Sequence, residues 1–295
     1  MTLNIVIINY NSGHYLKNCL DAISKNNGLK SKDITVYDNA SGDDSIPYAQ
    51  KFFPHVCYIE NDTNIGFASA INQVIKGTRG EYILLLNPDV VLLPKAIDLM
   101  LEFVEKNPRC GIVGGEILSP FGYHQPTCRR FPDYFNILFG RRSLARRIFP
   151  RNPFSNKYLY LNLDYTVPQK VDFLEGSVMM MRRKAIEEVG LFDEGYFLYL
   201  EDADICYRMR KNGWATWWLP QAYAIHFRGE NFRGDNIHPA MFHSKGFYRF
   251  FIKHYQPIQV IRALLKFFLM LRLVYVISTE SVKRVFYDTH FSLYN

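Results

Sequence analysis

The chain has 295 residues, 48% of them apolar and 16% aromatic, enough for one large domain or two small ones. Its five cysteines (19, 57, 110, 128 and 206) are odd in number and form no C-x-x-C pair, which argues against a disulfide scaffold or a zinc knuckle and fits a reducing compartment. Lys plus Arg number 35 against 28 Asp plus Glu, and the excess is concentrated in 128–151 and 247–290, leaving a mildly acidic body with two basic patches that suit an anionic surface or substrate.

The N-terminus enters an apolar run at once, with no basic region before it, so no signal peptide is expected. In residues 1–118, strand-like runs at 3–9, 34–37, 56–60, 81–86 and 111–118 alternate with one-sided helical patterns. The helical faces are Leu16, Cys19, Leu20, Ile23; then Phe67, Ile71, Val74, Ile75; then Ile97, Met100, Leu101, Val104. Near-continuous apolar strands separated by helices predict a mostly parallel sheet covered on both faces, with ligands at the carboxyl ends of its strands. Residues 119–170 are rich in Pro, Phe and Arg and read as a basic loop or lid. Order resumes at 171–246, with a strand over 171–183, a helix from Glu201 ended by Asn212-Gly213, and two strands, "ATWWL" and "AYAIHF". From 247 to 295 the pattern is helical. The stretch 258–278 holds Arg262, Lys266 and Arg272, so a helix lying in a membrane interface is favoured over one that spans.

Four predicted strand ends carry small, polar, turn-forming residues: "NYNSG", "YDNASGDDS", "NDTNIGFASAIN" and "NPD". Gathered on one sheet edge they make a pocket of amides and carboxylates suited to a nucleotide. Asp89 repels a diphosphate on its own and suits one through a divalent cation, and in an extended turn Asn87 and Asp89 point the same way. The bland alternative is a turn that caps the next helix.

The ordered set "VIINYN", "VYDNASGDDS", "NIGFASAIN", "LLLNPDV", "GSVMMMRR", "GLFDEGYFLYLEDADICYRMRKNGW" and "AIHFRG", over residues 3–228, resembles the family 2 inverting glycosyltransferases of GT-A fold, most of all their bacterial rhamnosyltransferase branch. The resemblance implies an α/β, Rossmann-like central sheet with a C-terminal helical extension that associates with membranes. It implies that Asn9, Asn11 and Asp38 line the base and ribose, that Asn64 and Gly66 shape the floor with Asn72 beside them, and that Asp89 holds Mg2+ or Mn2+ with the diphosphate. His226 matches a late histidine of the metal shell, or is a satisfied core histidine. Glu201 and Asp202 match the acidic pair whose second member serves as base, whereas Asp204 stands near the acceptor or simply pairs with Arg208 four residues on.

The implied donor is a nucleotide sugar, dTDP-L-rhamnose first and UDP-hexoses next, and the acceptor a glycan or polyprenyl-diphosphate-linked saccharide. Arg129 and Arg130 are expected on an acceptor phosphate, and Arg141, Arg142, Arg146 and Arg147 on an anionic membrane, at the cytoplasmic face. Glu175 departs from the small or polar residue usual before this glycine. No nucleic-acid partner is implied. A nucleotidyltransferase would need a basic Gly-rich loop after the first strand and a dehydrogenase a G-x-G-x-x-G; neither is present. A non-catalytic sugar-nucleotide-binding scaffold is the remaining alternative.

Overall fold

The structure, a computed structural model, describes residues 2–25, 33–134, 149, 153–227 and 237–291, without the side chains of 154, 155 and 280–291. Arg141, Arg142, Arg146, Arg147, Arg151 and Arg228 lie outside the described residues, as do the side chains of Lys283 and Arg284.

Apolar runs form β1 (Leu3–Asn9), β2 (Ile34–Asp38), β3 (Cys57–Glu60) and β4 (Tyr82–Leu86), all parallel, with β1 between β2 and β4 and β3 outside β2. Helices α1 (Tyr15–Ser24), α2 (Ser45–Phe52) and α3 (Phe67–Gly77) connect them, α1 and α3 on the predicted faces and α2 in a segment with no legible helical period. β5 (Val90–Leu92) and α4 (Ala96–Lys106) follow, then β6 (Cys110–Leu118) and β7 (Cys128–Arg129).

After the short helix α5 (Pro153–Tyr158), the run 171–183 is not one strand. It divides among β8 (Gln169–Val171), β9 (Phe173–Leu174) and β10 (Val178–Arg182). A turn at Glu175–Ser177 breaks it: Glu175 N–H donates to the Thr127 carbonyl, and β9 pairs with β7 in a small sheet of its own. Then come α6 (Arg183–Val189), α7 (Glu201–Lys211) and β11 (Ala215–His226). The two strands expected within 214–227 are a single strand, because a register shift between Leu219 and Tyr223 carries the pairing with β6 past Pro220.

The main sheet runs β3-β2-β1-β4-β10-β6-β11-β5, with β8 also on β11. β10 is antiparallel to β4 and β6, and β5 and β8 are antiparallel to β11, so the sheet is mostly rather than wholly parallel. Met179, Met180 and Met181 are fully buried on alternating faces, the expectation for a strand covered on both sides. One core lies beneath α1, α2 and α4; the other lies beneath α3, α6 and α7.

The chain ends in α8 (Ile237–Tyr255) and α9 (Gln259–Phe291). Helix α8 starts well before the expected boundary at 247 and belongs to the core, where Phe247, Phe250 and Phe251 are buried. Two of the cations expected in a basic tail are turned inward: Arg249 and Lys253 pair with Asp193, and Lys253 also with Asp204. Among the described residues no helix is long and apolar enough to cross a membrane.

Candidate active site

The carboxyl ends of β1 and β2 are tied together by side chains. Asn9 is fully buried at the last position of β1, and its Nδ2 donates to Asp38 Oδ1 (2.7 Å), Ser45 Oγ (2.8 Å) and Ser41 Oγ (3.1 Å), while its Oδ1 accepts from Ser12. Asp38 also accepts from the Ser41 N–H (2.9 Å) and hydroxyl (2.6 Å). Asn11, in the left-handed region at φ 50°, receives the Gly42 N–H on its Oδ1 (2.7 Å). Burying so many polar groups is tolerable because each is partnered, and full partnering fixes one geometry. Next along the edge, Asn64 Oδ1 accepts from Asn39 Nδ2 (2.9 Å) and from Gly66 N–H (3.0 Å). Asn39, Ser41 and Ser45 were not singled out in the sequence; "DNASGDDS" held that signal.

Asn72 points elsewhere. Its Nδ2 donates to the Phe192 carbonyl (2.8 Å) and Glu194 (2.9 Å), and its Oδ1 receives the Phe192 N–H (3.0 Å), so it pins the 192–194 loop rather than the floor beside Asn64.

At the end of β4 the chain turns at Asn87–Asp89, where Val90 N–H donates to Asn87 O (3.2 Å). The Asp89 carboxylate lies 3.1 Å from His226 Nε2, the last residue of β11, and both side chains are nearly buried. The backbone is locked there too, since Phe227 N–H donates to Asp89 O (3.0 Å) and Gln125 Nε2 to His226 O (2.8 Å). Nothing in the spacing of Gln125 pointed to this.

The same edge carries the acidic pair. Asn87 N–H donates to the Ser177 carbonyl (3.0 Å), and one residue earlier Gly176 N–H donates to Asp202 Oδ2 (3.1 Å). The turn 175–177 therefore binds the end of β4, with Asp89 two residues on, to Asp202 at the start of α7. Asp202 is half-buried and its Oδ1 accepts the Ala203 N–H (2.7 Å). Burial pushes its carboxyl up to about 7 and the nearby Glu175 carboxylate adds to that, against the lowering effect of the two N–H bonds and Arg129. Glu201 is buried, with an Oε2 that has no hydrogen-bond partner, and burial beside Asp202 drives its carboxyl well above the usual range. A sealed Glu201, its carboxyl raised by burial, and a half-open Asp202 are two different groups despite adjacency.

Asp204 is not at this edge. It is fully buried among Arg208 (2.8 Å), His254 (2.7 Å) and Lys253 (2.7 Å), so it stands inside a structural ion network and out of an acceptor's reach. Burial raises its carboxyl, but these partners outweigh that and hold it below the ordinary value. Arg129 is buried and paired with Glu175, beside Asp202. Arg130 lies over the Tyr160 ring (4.3 Å) with Asp172 at 3.8 Å, and is not gathered with Arg129.

A strand edge that assembles a network of polar side chains, a carboxylate–imidazole pair and a half-open carboxylate is an arrangement suited to a group-transferring α/β enzyme. The Glycosyl transferase family 2 profile matches residues 4–190, and the chain belongs to that family of enzymes. It is 30% identical over 259 residues to the N-acetylglucosaminyl-diphospho-decaprenol L-rhamnosyltransferase of Mycobacterium tuberculosis, covering 84% of this chain and 83% of that one. It is 25% identical over 262 residues to rhamnosyltransferase WbbL of Escherichia coli K12, covering 83% and 91%. Among solved structures, the mannosyltransferase PcManGT of Pyrobaculum calidifontis, in complex with GDP-Man and Mn2+, superposes with TM-score 0.58 at 15% identity, over 95% of this chain and 73% of that chain. GalNAc-T7 with UDP, GalNAc and Mn2+ gives TM-score 0.60 at 15% identity, over 85% and 47%. These likenesses establish the GT-A fold and a rhamnosyltransferase-like glycosyltransferase.

Proposed function

We propose that the chain is a metal-dependent inverting transferase that moves L-rhamnose from dTDP-L-rhamnose to a glycan or polyprenyl-diphosphate-linked saccharide in cell-surface polysaccharide synthesis. The observation that carries this reading is the shared edge: the Asp89–His226 pair and the Asp202 carboxylate are bound to the same strand end through the 175–177 turn. The relative from M. tuberculosis bears the name of a rhamnosyltransferase acting on a decaprenol-linked acceptor, which supports rhamnose as the transferred sugar and the lipid.

Asp89 and His226 fit a divalent cation, Mg2+ or Mn2+: a hard carboxylate oxygen and an imidazole nitrogen converge at 3.1 Å from two strand ends, and the imidazole inclines the choice to Mn2+. No third His, Cys, Asp or Glu joins them among the described residues, so a cation held there would take its further ligands from diphosphate oxygens and water. When bound, the cation neutralises charge on the departing nucleoside diphosphate.

Asn11, Asp38, Asn64 and Gly66 line the nucleoside, and Asn9, fully buried, fixes Asp38 and the 41–45 loop behind them. Asp202 removes the proton from the acceptor hydroxyl as its oxygen bonds to the anomeric carbon and the bond from that carbon to the diphosphate breaks, inverting the centre. A base with its pKa near 7 is half ionised at neutral pH and still strong enough to take the proton. Glu201, buried next to Asp202, has its own carboxyl raised by that burial. Arg129 helps hold the acceptor end through Glu175.

The lipid acceptor calls for a membrane surface, and α9 offers one. Val260, Leu264, Phe267, Leu271 and Val274 form an exposed stripe, Phe267 at 55% and Val274 at 58%, opposite the buried line of Leu265, Leu269 and Val276. Arg262 and Lys266 lie together on one exposed side of the helix away from the stripe, Arg262 donating to the Pro257 carbonyl and Lys266 over the Tyr248 ring, and residues 236–279 contain no Asp or Glu. That is the pattern of a helix lying in an anionic interface, here at the cytoplasmic face.

The test is nucleoside diphosphate release from a panel of dTDP- and UDP-sugars with Mn2+, with and without a lipid-diphosphate acceptor, in the presence and absence of anionic vesicles. Release from dTDP-L-rhamnose that needs acceptor and stops in chelator is expected. Preference for a UDP-hexose would replace the donor, and silence with every donor would favour the scaffold alternative.

A further inference from the structure

The turn that leads into the acidic pair is strained. Tyr199 (φ 70°) and Leu200 (φ 73°) both occupy the left-handed region, which side-chain-bearing residues rarely adopt singly and seldom adopt in succession. Such a turn persists only where its surroundings hold it, and here it is gripped from two sides.

On the donor side, Phe67 N–H donates to the Phe197 carbonyl (2.7 Å), and Gly66 is packed so tightly that a Cβ on it would stand 2.8 Å from that same oxygen. On the other side stands α8. A Cβ on Gly246 would be 2.7 Å from the Tyr199 carbonyl oxygen and 3.2 Å from Leu200 Cβ, so only glycine lets the helix come this close. One helical turn earlier the α8 rings continue the contact: Phe242 stacks on Phe197 at 4.9 Å, and His243 lies 5.9 Å from the Tyr199 ring. Two turns later Lys253 and His254 bond Asp204, the residue two beyond Asp202. Arg249, between them, pairs with Asp193 at the head of the same loop.

We propose that α8 is a brace for the catalytic base and that Gly246 is its positioning residue: close backbone approach at Gly246 holds Tyr199–Leu200 in the left-handed conformation that aims Asp202 at the sheet edge. This rests on the transferase reading above. It makes the C-terminal helices part of the catalytic unit, since α9 packs directly on α8. The 64–66 turn meets the braced loop at Phe197, whose ring also stacks on Phe242 of α8.

The experiment compares the full-length wild type with Gly246→Ala and, as a matched control in the same helix, Ala240→Gly, a buried position whose only expected effect is weaker helix. Four quantities are read: melting temperature, nucleoside diphosphate affinity with Mn2+, and kcat and KM for the donor the wild type uses. Gly246→Ala is expected to lose kcat by at least about tenfold, since an ångström of misplacement is worth up to about a hundredfold, with nucleotide affinity and donor KM unchanged. Ala240→Gly is expected to lower the melting temperature with kcat retained. Wild-type kcat in Gly246→Ala, or a kcat loss that Ala240→Gly shares, overturns the brace. Should Gly246→Ala not fold, Phe242→Ala takes its place, with a smaller kcat-selective loss expected and wild-type kcat counting against the proposal. A wild type inactive with every donor would instead overturn the transferase reading, and the brace's role with it.

Discussion

Replacing Asp202 with Asn sets two effects against each other, and the structure gives a size to each. A positioned general base contributes about 10²–10⁴ in rate, equivalent to about 3–5 kcal/mol of barrier, so turnover should fall by that factor while nucleotide affinity, which rests on residues of other strand ends, stays as it is. Stability should move the other way at high pH. In the fold the Asp202 carboxyl is raised to about 7 from an ordinary 3.8. The folded state therefore binds the proton more tightly than the unfolded one, and the wild type loses stability as pH rises from about 4 to about 7. At 1.36 kcal/mol per unit, that penalty is at most about 4 kcal/mol above pH 7.

Asn carries no charge and escapes the penalty, but its amide can accept only one of the two N–H groups, from Gly176 and Ala203, that the carboxylate accepts. The mismatch costs about 1–2 kcal/mol at every pH. Asp202→Asn should thus be more stable than wild type at pH 8 and slightly less stable at pH 4.5. Donor-consumption kinetics and thermal unfolding at the two pH values read both effects. Full turnover in the variant would remove Asp202 from the base role. A stability difference that does not change between pH 4.5 and 8 would refute the burial argument itself.

Three further substitutions probe neighbouring parts of the edge. His226→Ala should weaken Mn2+-dependent nucleotide binding by roughly 10–100-fold, measured by calorimetric titration with and without the metal; unchanged Mn2+ dependence would return His226 to a structural role. Glu175→Gln removes a carboxylate that raises the Asp202 carboxyl and leaves Arg129 to lower it, so the acid limb of the pH–rate profile should move to lower pH; a limb that moves up or stays fixed would refute this coupling. Asn9→Ala deletes three donated hydrogen bonds and one accepted bond at a fully buried position, with an expected loss of about 2–4 kcal/mol in unfolding free energy and weaker nucleotide binding; a denaturation midpoint equal to wild type would contradict the network's role.

The local chemistry of the strand ends was legible in the sequence because turn-forming polar residues after apolar runs have few other uses, and a parallel sheet gathers such ends on one edge. "NPD" and the helix opening at Glu201 could be placed that way, as could α1, α3 and α4 from their one-sided periods. The run 171–183 reads as one strand although Glu-Gly-Ser interrupts it at Glu175–Ser177, and the pairing of Phe173–Leu174 with β7 is what diverts the chain. Burial decided what charge and spacing left open. Lys253 belongs to the basic run 247–290, yet within the fold it pairs with Asp204, which also holds Arg208, the partner that helical spacing offered. Glu201 and Asp202 are chain neighbours, yet one is sealed and the other half open.

What the chain's residue order determined by itself is which groups stand at strand ends, since that follows from periodicity and turn preference between near neighbours. What only the tertiary structure decided is which of those groups remain accessible and which are consumed by partners far along the chain. Asp89 meets His226 across 137 positions, Gly176 meets Asp202, and Gly246 meets Tyr199. Such meetings depend on how layers stack, and no local propensity encodes the distance between two layers.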